Sequence, residues 1–479
     1  MRRTAMVLLT LLLIGTRSAS CAELAEEPPP LYSVEWSRLL GGKGDVLTKF
    51  AVASDGRIWL VGSAASESDD AHGGGDGWVA VLDADGVPLW SKRYGGSDGD
   101  RLFDVALLSD GGAVILGETE SSNGQVKNYR GGVDAWVIRV DAQGALVWQK
   151  CLGGTLDDNL TAMRIVTNVA VDENTTEDRV ILAGWSMSYN NDLNLNEGGK
   201  DAWVCAIRLD SGRSLWHYQT GGVSDDWFDI LLPEQQGMTA IGGTTLEDAQ
   251  GGQRVVPVLT SIGADGGEGA IIRIQLKEDA WISDAAQTTD GWILAGRTGV
   301  ENSDAWLSRV SPDGSFNTIY MEGNTNGAMS IIRQYTFSIA LAVGTLDSEG
   351  SRLTGVHGGR DVWTVGLTRD RVQWEQALGG SGETTPLFVT RRSDGRYVIA
   401  MSTTSADGDL PPHEQNCVGW IVLLDVNGNL LRQAIIAPYA DQRFTSATTA
   451  ATDSSVIFLG EAMDETGVWR AAIVKATAH

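Results

Sequence analysis

Cysteine, proline, histidine, positive charge and long apolar runs are all scarce in this chain, and each shortage removes a class of protein. Its 479 residues include 4 Cys, 11 Pro and 5 His. Cys21, Cys151, Cys205 and Cys417 lie far apart without paired spacing, so neither a disulfide framework nor a zinc site is indicated. His72, His217, His357, His413 and His479 show no metal-pair spacing, and no Gly-x-x-x-x-Gly-Lys-Ser/Thr phosphate loop occurs. Lys and Arg number 36 against 62 Asp and Glu, a net charge of −26, which argues against nucleic acid as a partner. The one long apolar run, Ala5 to Ile14, is shorter than the ~20 residues of a membrane span. What the chain does have is 59 Gly, 17 Trp and 42% hydrophobic residues, ample for a large core.

Arg2 and Arg3, the apolar run, and the small residues Ser18-Ala19-Ser20-Cys21-Ala22 have the layout of a secretory signal. Residues 1–22 are therefore expected to be an export signal cleaved after Ala22, with 23–31 as a spacer containing Pro28-Pro29-Pro30. Cys21 raises a second option, a lipid anchor. Ser18 stands where lipoprotein signals usually have Leu, which weighs against it.

Residues 32–479 carry a repeat of about 56 residues. One anchor is a strand ending in Gly, at Gly62, Gly117, Gly184, Gly242, Gly296, Gly344 and Gly460, with Met401 in the seventh unit. A second is a Trp-led strand at Trp78, Trp136, Trp203, Trp306, Trp363, Trp420 and Trp469. A third strand-like stretch runs from Trp to Gly-Gly, as from Trp148 to Gly153-Gly154. Asp-Gly pairs such as Asp110-Gly111 supply tight hairpins. Each unit thus reads as four short strands. Runs such as Trp78-Val79-Ala80-Val81-Leu82 are apolar at every position and call for burial on both faces. The expected fold is all-β: an eight-bladed β-propeller of four-stranded antiparallel blades.

Two irregularities sharpen this expectation. Unit four lacks the second-anchor Trp. Its third strand is placed at Val255–Thr260 and its fourth at Ala270–Leu276, so Asp279-Ala280-Trp281 only imitates the Trp motif one strand out of phase. Unit eight has no fourth strand, whereas an orphan fourth strand, Tyr32–Leu40, precedes unit one. Pairing the two closes the ring and removes two open edges.

The Gly-Gly, Asp-Gly and Asp-Ala-Trp-Val elements (Asp134-Ala135-Trp136-Val137, Asp201-Ala202-Trp203-Val204) resemble bacterial β-propeller repeats of the SBBP type over nearly all of 32–475. The resemblance implies an exported or surface protein and no catalytic motif. The spacing of Asp141, Gly144 and Trp148 is also similar to the tryptophan-docking motif of pyrroloquinoline-quinone dehydrogenases. The adjacent cysteines of those enzymes are missing here.

Carboxylates recur just after the Gly-Gly positions: Asp45, Asp100, Asp158, Asp226, Asp279, Glu383 and Asp441, with Asn326 in the remaining unit. Circling one mouth of the channel, they could bind Ca²⁺ or cap backbone N–H groups; capping explains a once-per-blade pattern more economically. No other cofactor is indicated. Loop residues Asp69, Asp70, Asn190, Asn191, Asp192, Asp407 and Asp409 should make the same face acidic. Trp185, Trp227 and Trp281 fall at its loop edges, either as ligand-stacking residues or packed between blades. The expected function is extracytoplasmic: binding or scaffolding an envelope protein or glycan, secreted or envelope-associated, without chemistry of its own. The alternative is a glycan-active or quinone-dependent enzyme with its site at the channel mouth.

Overall fold

Each Gly anchor sits in the second strand of a four-stranded antiparallel sheet, and eight such sheets make up the computed structural model. It describes residues 31–479 except 66–71, 173, 194–195, 235–236, 248–251, 300–302, 322–326, 337–338, 348–352, 354, 369–370 and 451–453. Residues 1–30, with the expected signal, Cys21 and most of the spacer, lie outside the described residues, as do Asn326, Asp69 and Asp70. Blades 1 to 7 span residues 46–94, 100–152, 158–220, 226–273, 280–321, 328–378 and 384–436; blade 8 combines 442–478 with Tyr32–Leu40. No helix is long and apolar enough to cross a membrane among the described residues.

The ring closes as the strand arithmetic requires. Tyr32–Leu40 pairs antiparallel with Trp469–Ala478, from Tyr32 opposite Ala478 to Leu40 opposite Ala471, with a bulge between Val34 and Trp36. Lys475 Nζ adds an ion pair to Glu35 Oε2 at 3.1 Å. First strands of successive blades from blade 1 to blade 8 touch one another, so they line the axis. Each of these strands is bulged at the same place, for example at Thr48 and Thr161, which tightens its twist near the axis. Unit four is placed as expected: its third strand is Gln253–Gly263 and its fourth Glu268–Arg273, while Trp281 belongs to the first strand of blade 5.

Burial explains the sequence pattern. Third strands such as Asp76–Leu82 and Val418–Leu424 are buried at every residue, because both faces pack on a sheet. The apolar core is divided into eight clusters, one in each seam between neighbouring blades. Removing this surface from water is the main driving term. Six third-strand Trp side chains, Trp78, Trp136, Trp203, Trp306, Trp363 and Trp420, lie opposite the anchor position and fill the seam with the preceding blade. Trp469 does not belong with them. Ala472 stands opposite Gly460, whereas Trp469 pairs with Met463, three residues earlier, and is only half-buried.

Fourth-strand Trp side chains join blades from the outside. Trp36, Trp90, Trp148, Trp216 and Trp374 each donate their indole N–H to a carbonyl in the third hairpin of the next blade: Ala84, Ala142, Leu209, Ala264 and Val426, at 2.9–3.2 Å. The ring lies flat on the turn glycine. A Cβ at Gly144, where φ is +74°, would stand 2.8 Å from Trp90. Turn Asp residues hold the same hairpins; Asp141 Oδ1 accepts from Gln143 N and Ala145 N at 2.9 and 2.8 Å. Part of the negative charge therefore serves turn geometry.

Candidate functional site

Strand starts, the Gly-Gly linkers between blades, and the loops joining second to third strands all emerge on one face of the ring. A buried carboxylate anchors the linker in four blades. Gly96 N–H donates to Asp100 Oδ2 at 2.8 Å, Gly154 N–H to Asp158 Oδ2 at 2.6 Å, Gly222 N–H to Asp226 Oδ2 at 3.0 Å, and Gly42 N–H to Asp45 Oδ2 at 2.8 Å. Hydroxyls complete the sets: Thr119 and Ser121 donate to Asp100, and Ser186 and Ser188 to Asp158. Burial pushes Asp100, Asp158 and Asp226 above the ordinary carboxylate range, and these donated bonds oppose the shift.

The expected ring of seven carboxylates is not uniform. Asp279, Glu383 and Asp441 each stand one residue ahead of the equivalent position, which Ala280, Thr384 and Gln442 occupy opposite Thr298, Thr403 and Ala462. Linker length is the cause. The spacing from Gly95 to Asp100, Gly153 to Asp158 and Gly221 to Asp226 lands on Thr384 when counted from Gly379. Thr384 and Thr403 share a hydroxyl hydrogen bond of 2.9 Å, and Gln442 accepts from Tyr439 N at 3.3 Å. The displaced acids find other partners: Asp279 accepts from Val255 N, Asp441 from Asn416, and exposed Glu383 faces Arg360. Among the described residues no three His, Cys, Asp or Glu side chains gather as a metal ion would require. N–H and O–H donors already occupy the carboxylate oxygens of Asp100 and Asp158.

A second tier of acids went unnoticed in the sequence beyond their use as repeat markers. Asp76, Asp134, Asp201 and Asp361 open third strands and are 0–1% exposed. Oδ2 of Asp76, Asp134 and Asp361 accepts from the backbone N–H four residues earlier, at His72, Arg130 and His357 (2.9, 2.7 and 3.0 Å). Oδ1 of Asp134, Asp201 and Asp361 has no hydrogen-bond partner among the described residues. The Gly-Gly linker runs directly over it: a Cβ on Gly153 would be 2.5 Å from Asp134 Oδ1 and 2.6 Å from Asp158 Oδ2. Burial, helped by the charge of Asp158, pushes Asp134 up to about 7; burial, helped by Asp226, pushes Asp201 up to about 6. The signal in the sequence was the recurring x-Gly-Gly-x-Asp, at Arg130–Asp134, Glu197–Asp201 and His357–Asp361.

Several loop acids proposed to face a partner are engaged within the ring. Asp407 accepts from Ser381 N at 2.7 Å and Asp409 from Gly379 N at 3.2 Å; Asp192 pairs with Arg130, and Asn190 accepts from Thr155 N. They tie loop to linker. Asn191 is exposed.

Trp185, Trp227 and Trp281 come to one level of this face, on blades 3, 4 and 5. Each stands one residue inside the rim: Trp185 opposite Asn159, Trp227 opposite Gly243, Trp281 opposite Arg297. All three are half-buried. Lys200 Nζ lies 4.0 Å from the Trp185 ring centre and Arg297 Cζ 4.4 Å from that of Trp281, both within cation–π range. Trp469 on blade 8 has the same dressing, with Arg443 at 4.9 Å. Two cavities lie in this sector. One of about 240 Å³ opens in the seam of blades 3 and 4, and one of about 320 Å³ lies between Leu276, Thr298 and Asp304. A third, about 510 Å³, opens on the opposite face beside Arg179, Trp216 and Glu234.

No protein-family model matches the chain, and no curated protein sequence matches it. Solved structures resemble the chain at low identity. Drosophila plexin A, in complex with semaphorin 1b, is 9% identical over 94% of this chain and 88% of its own, with a TM-score of 0.43. The Pan2 WD40 domain of Neurospora crassa is 11% identical (78% and 94% covered, TM-score 0.39). The periplasmic gluconolactonase of Pseudomonas aeruginosa is 12% identical (80% and 97%, TM-score 0.37).

Proposed function

We propose that this chain is an exported, non-catalytic propeller of SBBP-type repeats that holds an envelope protein or a glycan against the linker face of blades 3 to 5. The observation that carries this reading is the alignment of Trp185, Trp227 and Trp281 at one level on three successive blades. Half-buried indoles on a rigid rim offer stacking area at low entropic cost. Asp134 and Asp201, raised to about 7 and about 6, are closed beneath linkers, which supports a structural role for these two acids. Export rests on the N-terminal Arg2-Arg3, apolar run and small-residue exit, with 1–22 as the removed signal.

The test is a glycan array and an envelope-protein capture, run with and without Ca²⁺, on the mature protein and on a Trp185→Ala/Trp227→Ala/Trp281→Ala variant of matched thermal stability. A ligand that binds the parent and loses at least about tenfold in affinity with the variant supports the reading. A ligand bound equally by both would move the site elsewhere.

A further inference from the structure

Blade 4 breaks the packing rule of its neighbours. In six blades a third-strand Trp fills the seam with the preceding blade. Blade 4 has Val258 and blade 8 has Ala472 at that place, opposite Gly242 and Gly460. Blade 8 compensates with the Phe444–Phe458 pair, whose ring centres are 4.9 Å apart. Blade 4 does not. Its seam with blade 3 keeps the cavity of about 240 Å³, which Val258 and Phe228 line on the apolar side. A cavity of about 150 Å³ already accommodates benzene.

The polar wall is equally specific. Thr260 lines the cavity, is fully buried, and its Oγ1 has no hydrogen-bond partner among the described residues. The matching residue of blade 5, Ser308, bonds Thr318 of its fourth strand at 3.1 Å, but Thr260 faces apolar Ile271. Asp226 lies in the wall, and Glu247 and Arg273 stand exposed at the rim. Both signs of charge therefore border a space of aromatic size.

We propose that the seam of blades 3 and 4 binds a free aromatic amino acid. Its ring occupies the volume Val258 leaves against Phe228, its ammonium group lies toward Asp226 and Glu247, and its carboxylate lies toward Arg273. Thr260 supplies the hydroxyl that a ring N–H or O–H can satisfy. This site adjoins the Trp rim at Trp227, which packs on the lining residue Gly243, but its test uses none of the rim substitutions.

Titration calorimetry on the full mature protein tests it with L-tryptophan, tryptamine, indole-3-propionate and N-acetyltryptophanamide. L-Tryptophan should bind, and loss of either charged end should weaken binding by about tenfold, the scale of one charge-assisted hydrogen bond. Val258→Trp, which restores the indole of the sister blades, should abolish binding and raise the melting temperature. If that variant fails to fold, Arg273→Ala should still weaken L-tryptophan by about tenfold while sparing tryptamine. Absence of binding to the parent, undiminished binding to Val258→Trp, or equal affinity for N-acetyltryptophanamide would each overturn the proposal.

Discussion

Asp134 and Asp158 face each other across the backbone of Gly153, one opening the third strand of blade 2 and the other the first strand of blade 3. Asp158 is held by three donors, whereas Asp134 Oδ1 has none. The unequal pair settles its charge by keeping the proton on Asp134, at about 7.

That asymmetry fixes a pH dependence. The folded value of Asp134 lies above the unfolded carboxylate value of about 3.9, so the folded state holds a proton that the unfolded chain releases. The stabilisation is complete below about pH 4 and is lost as pH rises toward 7; Asp201 behaves alike toward 6. Asp134→Asn keeps an acceptor for Arg130 N and cannot ionise. It should leave stability at pH 4 nearly unchanged and add about 2–4 kcal/mol at pH 8. Urea midpoints at the two pH values measure this. A variant less stable than the parent at pH 8 would contradict it.

The register of the rim acids separates anchor from ornament. Asp100→Ala strands Gly96 N–H and two hydroxyls in a dry seam, and should cost about 2–4 kcal/mol. Glu383→Ala removes an exposed side chain with a loose ion pair, and should cost less than about 0.5 kcal/mol. Equal losses at the two positions would restore the uniform ring.

Blade number, strand order and ring closure were legible in the sequence because they follow from periodic letters and a count of strands. Gly62 and its equivalents mark second strands, and Tyr32–Leu40 had only one partnerless edge to fill. The rim was less legible. Choosing the nearest carboxylate picked Asp279, Glu383 and Asp441, although the strand register puts Ala280, Thr384 and Gln442 at the equivalent position. Trp469 misled in the same manner: it leads its strand, but the residue opposite Gly460 is Ala472. Asp134 was visible as a repeated letter, yet its role depends on a linker from the next blade crossing above it. The empty seam at Val258 was announced by the missing Trp; whether neighbours would fill it, as Phe444 does in blade 8, was a matter of three-dimensional packing.

Closure makes the N-terminal strand a structural latch. Removing residues 31–40 exposes the edge of Trp469–Ala478 and uncovers Phe458 and Ala476 in the seam of blades 7 and 8. The shortened protein should melt at a lower temperature and self-associate on size exclusion. A synthetic peptide of Tyr32–Leu40 added in excess should reverse both effects. A monomer of unchanged melting temperature would show that the latch contributes nothing.

The Trp90–Gly144 contact offers a sharper dissection, because its two costs can be separated. Gly144→Ala forces an L residue to φ +74° and drives a Cβ to 2.8 Å from the Trp90 ring. The backbone part is about 1–2 kcal/mol and the overpacking about 1–3. Trp90→Ala removes the ring and its hydrogen bond to Ala142, at about 3 kcal/mol. In the double variant the clash is gone, so its loss should fall short of the sum by about the overpacking cost. Gly467 of blade 8 is the control: its φ is +82°, yet nothing lies within 4 Å of its Cβ position. Gly467→Ala should therefore show the backbone cost alone. If Gly144→Ala and Gly467→Ala cost the same, the ring is not pressed on the turn, and the fourth-strand Trp side chains do not join the blades as described.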